Sequence, residues 1–207
     1  MSTTRLEAFS DGVFAFAITL LVLDLKLQDI ATAGSDKDVF AVLAKDAPAF
    51  LAFLLSFLTI LVMWINHHGI LAGVQKVDAH LLFANGFLLL TVVLVPFTTA
   101  LLGDTLGGPG ARAGAAVYGG LFVFVNIGYS VLFHSIAHRR KELAPELDEH
   151  EVRTAGRNLA AGFVLYSAAT AAALWSAWAT VAICGALWAL WTWNAYRRHS
   201  HAEHDHE

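Results

Sequence analysis

Charge, cysteine and catalytic motifs are all scarce in this chain, and each shortage removes a class of protein. Only 14% of the 207 residues are Asp, Glu, Lys or Arg. A soluble domain carries about 25%, so this surface cannot be kept hydrated as one water-soluble fold. The single cysteine, Cys184, sits in an apolar run, which excludes an intrachain disulfide and leaves the redox compartment unmarked. A formal net charge of −4 offers nothing to attract nucleic acid. There is no Gly-x-Ser-x-Gly elbow, no phosphate-binding glycine loop and no His-Glu-x-x-His, and the scattered serines have no spaced base. The chain does not read as an enzyme.

Metal and cofactor signals are equally thin. His67 and His68 are adjacent, so on a helix they point about 100° apart, and no Glu or Cys stands four residues on to complete a ligand set. The end of the chain, residues 198–207, holds His199, His201, His204 and His206 among acids and reads as a disordered, solvated cytoplasmic tail. No metal and no cofactor are expected. Asn85, Asn126 and His134 stand singly in apolar runs and read as packing residues.

What is abundant is apolar sequence: 57% of residues are hydrophobic and the mean hydropathy is +0.59. Windows of about 20 apolar residues, the length that crosses a bilayer, give six predicted spans. They cover residues 8–27, 39–71, 79–102, 113–137, 158–175 and 178–196, within one transmembrane domain over residues 1–197. The second is longer than one bilayer needs and is expected to tilt, to bend at Pro48 or to project beyond the lipid. The last two are separated only by Ser176 and Ala177 and form a predicted helical hairpin with Trp175, Trp178, Trp191, Trp193 and Tyr196 at its ends. The fold class is all-α. Asp11 interrupts the first apolar run and no small-residue cleavage site closes it, so this segment is expected to stay in the mature protein.

With both termini in the cytoplasm, nine basic residues fall inside (Arg5, Lys76, Arg139, Arg140, Lys141, Arg153, Arg157, Arg197, Arg198) and four outside (Lys26, Lys37, Lys45, Arg112). That balance favours N-in and C-in. A multi-pass protein of the plasma membrane is expected.

The first span carries Arg5 at its mouth and Asp11 about a turn and a half further in. A carboxylate near a bilayer centre costs roughly 2.5–3.5 kcal/mol on insertion scales, so Asp11 needs a partner or a water-filled surface. At about 100° per residue, Phe9, Val13, Phe16, Leu20 and Leu23 share a narrow stripe with Leu27, and Asp11 points elsewhere. Trp64 and His68, four apart near the end of the second span, share a face on the same side of the membrane. Arg5, Ser10 and Asp11 are expected to form a hydrogen-bonded network with Trp64 and His68 that fixes the first helix against the second. The plainer alternatives are an interfacial Asp11 that caps the helix and solvated histidines.

The pattern Arg5-x-x-x-Phe9-Ser10-Asp11, followed by Gly12 and an apolar run with Thr19 and Leu20, resembles the first-helix signature of the endolysosomal potassium channel family and its prokaryotic relatives. The resemblance extends to chain length and helix count. It implies a homotetramer in the lipid bilayer, with the first helix of each chain lining a central pore for potassium ions. It further implies a potassium-favouring leak channel whose constriction is made by bulky apolar residues and a nearby threonine layer. Phe16, Thr19, Leu20 and Leu23 are then the pore residues; Arg5, Phe9, Ser10, Asp11, Trp64 and His68 are structural and gating. The chain has no Thr-Val-Gly-Tyr-Gly filter loop and no acidic ring on the stripe, so selection would rest on apolar rings. One position departs from the pattern: Phe16 stands where the relatives carry isoleucine or leucine, which bears on pore width. The signature occurs once in the chain, so one copy cannot enclose a pore by itself. A proton-coupled transporter using Asp11 and His68 is the alternative, set against the lack of inverted repeats and broken helices. A structural membrane subunit without flux is a third.

Overall fold

Prolines and cap residues set the helix boundaries. The structure, a computed structural model, describes residues 2–23, 25 and 35–204. Among these the regular elements are all helices: α1 (Thr3–Leu23), α2 (Asp36–Lys45), α3 (Ala47–Ala72), α4 (Ala79–Val93), α5 (Val95–Thr105), α6 (Ala111–His138), α7 (Arg140–Leu143), α8 (Glu149–Ala172) and α9 (Ala177–His204). Asp78 caps α4 by accepting the Leu81 N–H at 2.7 Å. Asp148 and Glu151 close a reciprocal box at the start of α8, where each side chain accepts the other residue's backbone N–H, at 2.6 and 3.0 Å.

The long second predicted span is two helices. It breaks at Asp46, where α2 ends, and Pro48 lies in the first turn of α3, where its missing N–H costs nothing. No residue of α2 is buried, so this helix rides on the surface. The third predicted span also divides, at Leu94, because Pro96 cannot donate to the preceding turn. α4 and α5 still run on as one membrane-length stretch, Ala79–Thr105. The helix therefore continues past residue 102, where the predicted span ends, to Thr105. The first helix begins at Thr3, before the predicted residue 8, while residues 26–34, with Lys26 and Leu27 at the predicted end of the span, lie outside the described residues. α8 begins at Glu149 rather than at residue 158, since its capping box starts a helix well before the apolar run. α9 continues to His204, through most of the tail expected to be disordered, because nothing from Asn194 to His204 is a glycine or proline that would stop it. His206 and its neighbours lie outside the described residues.

Four stretches are long and apolar enough to cross a membrane: Thr3–Leu23, Ala47–Ala72, Ala79–Thr105 and Ala111–His138. The protein is thus a multi-pass, all-helical membrane protein. α8 opens on charged residues, and the apolar part of α9 is the shorter Ala177–Trp193.

α6 is the central post. It packs against α4 and α5 on one side and α8 and α9 on the other, while α3 joins α1, α5 and α9. Tyr118, Phe122, Leu132 and Ile136 of α6 are fully buried in the core. Close approach to α4 requires Gly128, where a Cβ would sit 3.1 Å from the Leu88 Cα. A buried hydroxyl relay ties the bundle through its middle: Thr99 donates to Ser56 Oγ at 2.7 Å, and Ser56 is bonded to the Tyr118 hydroxyl at 3.0 Å. Tyr129, further along α6, donates to the Met63 carbonyl. In lipid each such group would otherwise cost several kcal/mol unpaired, on the order of the full desolvation penalty.

Candidate functional site

α1 presents two faces of different chemistry. Leu6, Ser10, Phe14, Ala17 and Leu21 recur every three or four residues and are buried against α3, α4 and α5. Opposite them, Phe9, Phe16 and Leu23 are 63%, 62% and 70% exposed. Gly12, Ala15 and Thr19 lie exposed between them. Of the four expected pore residues, Phe16, Thr19 and Leu23 point away from the chain's own core and Leu20 is half-buried at the edge of that face. The Thr19 hydroxyl donates to the Phe16 carbonyl at 2.8 Å, leaving its lone pairs facing outward.

The buried face is held by a directed hydrogen-bond chain. His67 Nε2–H on α3 donates to Asn85 Oδ1 on α4 at 2.7 Å. Asn85 Nδ2–H then donates to Ser10 Oγ at 3.0 Å, and Ser10 donates to the Leu6 carbonyl at 2.9 Å. Three helices meet at this point, and Ser10, His67 and Asn85 are at most 1% exposed. The Phe14 ring lies over His67 at 5.2 Å between centroids. Satisfying every buried donor in one direction leaves α1 a single rotation about its axis, because turning it would strand the Asn85 amide in an apolar interior.

Asp11 belongs to a second, exposed contact. Trp64 Nε1–H donates to its carboxylate at 2.8 Å, and the His68 ring stacks on Trp64 at 6.2 Å. The structure therefore brings Asp11, Trp64 and His68 together and puts Ser10 in the neighbouring buried chain. Arg5 is exposed and makes no ion pair among the described residues; Phe9 is exposed on the outer face. His67 and Asn85 are the members that sequence reading left out. Asn85 stands alone in an apolar helix, and no spacing in the chain connects it to Ser10.

No group of three or more His, Cys, Asp or Glu residues is placed to hold a metal among the described residues. The arrangement can instead anchor a helix while exposing apolar and hydroxyl-bearing side chains along its far side.

Comparisons with known proteins bear on the family of the whole chain. The family model described as "Endosomal/lysosomal potassium channel TMEM175" matches residues 5–96, the stretch that includes Ser10, Asp11, Trp64, His67 and Asn85. A potassium channel of Chamaesiphon minutus is 42% identical over 185 residues, covering 88% of this chain and 89% of that one. A potassium channel of Streptomyces collinus is 35% identical over 184 residues, covering 88% of each chain. The crystal structure of a lysosomal potassium-selective channel TMEM175 homolog from Chamaesiphon minutus superposes with a TM-score of 0.82 at 39% identity. It covers 93% of this chain and 97% of its own.

Proposed function

The chain belongs to the TMEM175 family of potassium channels, and from that membership we infer that it is itself a potassium channel and not an enzyme. The mechanism rests on one observation: α1 keeps Ser10 and Phe14 inside its own bundle and turns Phe16, Thr19 and Leu23 outward. A single such helix encloses nothing, so several chains assemble around an axis. The assembly is a homotetramer in which α1 of each copy lines the conduit. Small residues at Gly12 and Ala15 let the four helices approach the axis closely. Rings of Phe16, Leu20 and Leu23 then form the constriction, and the Thr19 hydroxyls supply oxygen ligands beside it. Apolar rings of this kind govern passage by dewetting and steric fit rather than by a carbonyl cage. Asp11, Trp64 and His68 lie beside this conduit and hold the helix that lines it, while Arg5 and Phe9 stand exposed on α1, open to neighbouring copies. No cofactor takes part; potassium is the permeant ion.

Six spans complete each copy. α8 and α9 form a hairpin that crosses the bilayer behind α6, with both termini on the cytoplasmic side of the plasma membrane. The distribution of Lys and Arg supports this orientation.

Purified protein in liposomes under opposed potassium and sodium gradients tests the reading. A reversal potential shifted toward potassium is expected, with the shift altered by substitution at Phe16 or Leu20. Flux coupled to pH with no stable reversal would identify a carrier instead, and intact oligomers without flux would identify a structural subunit.

A further inference from the structure

Among the described helices α2 alone buries no residue, yet it is joined without a linker to a helix that is long and apolar enough to cross the membrane. Asp46 closes α2 and opens α3. Between Asp46 and Asn66 the chain holds no charged residue, no amide and no histidine. The Ser56 and Thr59 hydroxyls in that stretch are bonded within the protein, to Tyr118 and to the Leu55 carbonyl. At 1.5 Å per residue the helix rises about 30 Å from Asp46 to Asn66, which is the hydrocarbon thickness of a bilayer. Asp46 therefore stands at one boundary of the hydrocarbon and Asn66 at the other. α2 starts from the membrane surface.

The joint allows α2 to lean over that surface. Asp46 departs from helical geometry, with φ −87° and ψ 6°, and its N–H bonds back to the Ala44 and Val42 carbonyls. Pro48 has no N–H with which to continue the ladder to Ala44. Around α2, at about 100° per residue, Val42, Val39, Leu43 and Phe40 fall within one arc of about 160°, and Lys37, Asp38 and Lys45 lie opposite. Phe40 is 71% exposed, and Val39, Val42 and Leu43 are half-buried. A helix standing straight out from α3 would hold this face in water; one lying along the surface takes it out of water. Asp36 falls on the apolar side, but in the first turn, so the beginning of α2 rides higher among the headgroups than the end joined to α3. Asp36, Asp38 and Asp46 nearly balance Lys37 and Lys45, which leaves the apolar arc, not headgroup charge, to select the occupant.

We propose that α2 is a membrane-surface anchor: it lies in the headgroup layer with Val39, Phe40 and Leu43 entering the acyl boundary of the bilayer. Short amphipathic helices bind at this depth through their buried apolar area. The anchor also sets the depth of α3. That helix runs Ala47–Ala72, about 39 Å, and is longer than the hydrocarbon layer. With Ala47 held at one boundary, the excess from Asn66 to Ala72 emerges at the opposite surface, and His68 emerges with it. This placement needs only a membrane-spanning α3 and does not rest on ion conduction.

The test is nitroxide spin labelling of the full chain in phosphatidylcholine liposomes, on a Cys184→Ala background, with single cysteines replacing Lys37, Phe40, Leu43 or Lys45. Power saturation compares collisions with oxygen, which concentrates among acyl chains, and with a water-soluble nickel chelate. Labels at Phe40→Cys and Leu43→Cys are expected to shift toward oxygen relative to those at Lys37→Cys and Lys45→Cys. Equal nickel access at all four positions would put α2 in water and overturn the proposal. Loss of access to both reagents at positions 40 and 43 would mean that a second copy covers this face, and overturns it as well. Where Phe40→Cys fails to fold, the comparison of positions 43 and 45 decides. Adding phosphatidylglycerol should leave the pattern unchanged, and an oxygen shift that appears only in its presence would assign the contact to headgroup charge and sink the apolar insertion. Because accessibility is read without any current, failure here leaves the channel reading untouched.

Discussion

Asn85 carries more of the site's architecture than any other single residue. Its amide is the only link between His67 on α3 and Ser10 on α1 in the described hydrogen-bond chain. Asn85→Ala removes both bonds and leaves a buried donor on His67 and an unfilled acceptor on Ser10. Stranded groups of that kind cost about 1–3 kcal/mol, so the thermal transition of the detergent-solubilised oligomer is expected to fall and the oligomer yield with it. An unchanged transition would mean that α1 is oriented by packing alone. Glu149 offers a residue-scale pH effect outside the membrane. Its carboxyl is held below the usual range by the hydrogen bond from Arg140 and the charge of that guanidinium. A depressed carboxylate adds stability that is fully present above its unfolded pKa and is lost as pH falls through the lower, folded value. The wild-type thermal transition should therefore fall more steeply on acidification through the carboxylate range than that of Glu149→Gln. The difference will be small because the pair is exposed.

At the scale of elements, glycine positions decide how closely the helices meet. Gly128 lets α6 lie against the Leu88 backbone of α4. A larger side chain there forces the two helices apart, at a cost of about 1–3 kcal/mol for overpacking. Gly128→Val is expected to lower the thermal transition accordingly, whereas Gly12→Ala, with open space around its Cβ within one copy, should leave a single chain's packing unaffected. If Gly12→Ala nevertheless weakens the oligomer, the loss must come from contacts between copies. The boundaries of the elements also show what periodicity misses. A hydropathy window runs on across Asp46 and Leu94, because a pair of charged residues or one proline changes its mean too little to end it. The chain breaks at both points for a local backbone reason: Pro48 and Pro96, each two residues past the break, lack the N–H that would continue the preceding helix.

At the scale of the whole molecule, the proposed conduit stands or falls on which face of α1 meets the axis. Leu20→Asn and Leu23→Asn would each place a hydrated ring in an apolar constriction, and either is expected to raise potassium conductance or to change the potassium-to-sodium ratio in planar bilayers. Currents unchanged in both variants would place the conduit elsewhere in the bundle. Light scattering of the same preparations should return the mass of four chains. A dimer or monomer that still conducts would break the link between the outward face of α1 and a shared pore.

The membrane class, the helical character and the meeting of Asp11 with Trp64 were legible from local information. Hydropathy and the 3.6-residue period act within a window of one helix, and a charge set in an apolar run announces its own need for company. The tertiary structure alone decided that Asn85 joins His67 to Ser10 and that Thr99, Ser56 and Tyr118 share one relay. It also turned Phe14 inward and Phe16 outward. Those contacts join positions 18, 75, 43 and 62 residues apart, and no periodicity connects them. An isolated polar residue in an apolar helix states that a partner must exist; only the packing of the helices determines which one comes within 3 Å or so of it.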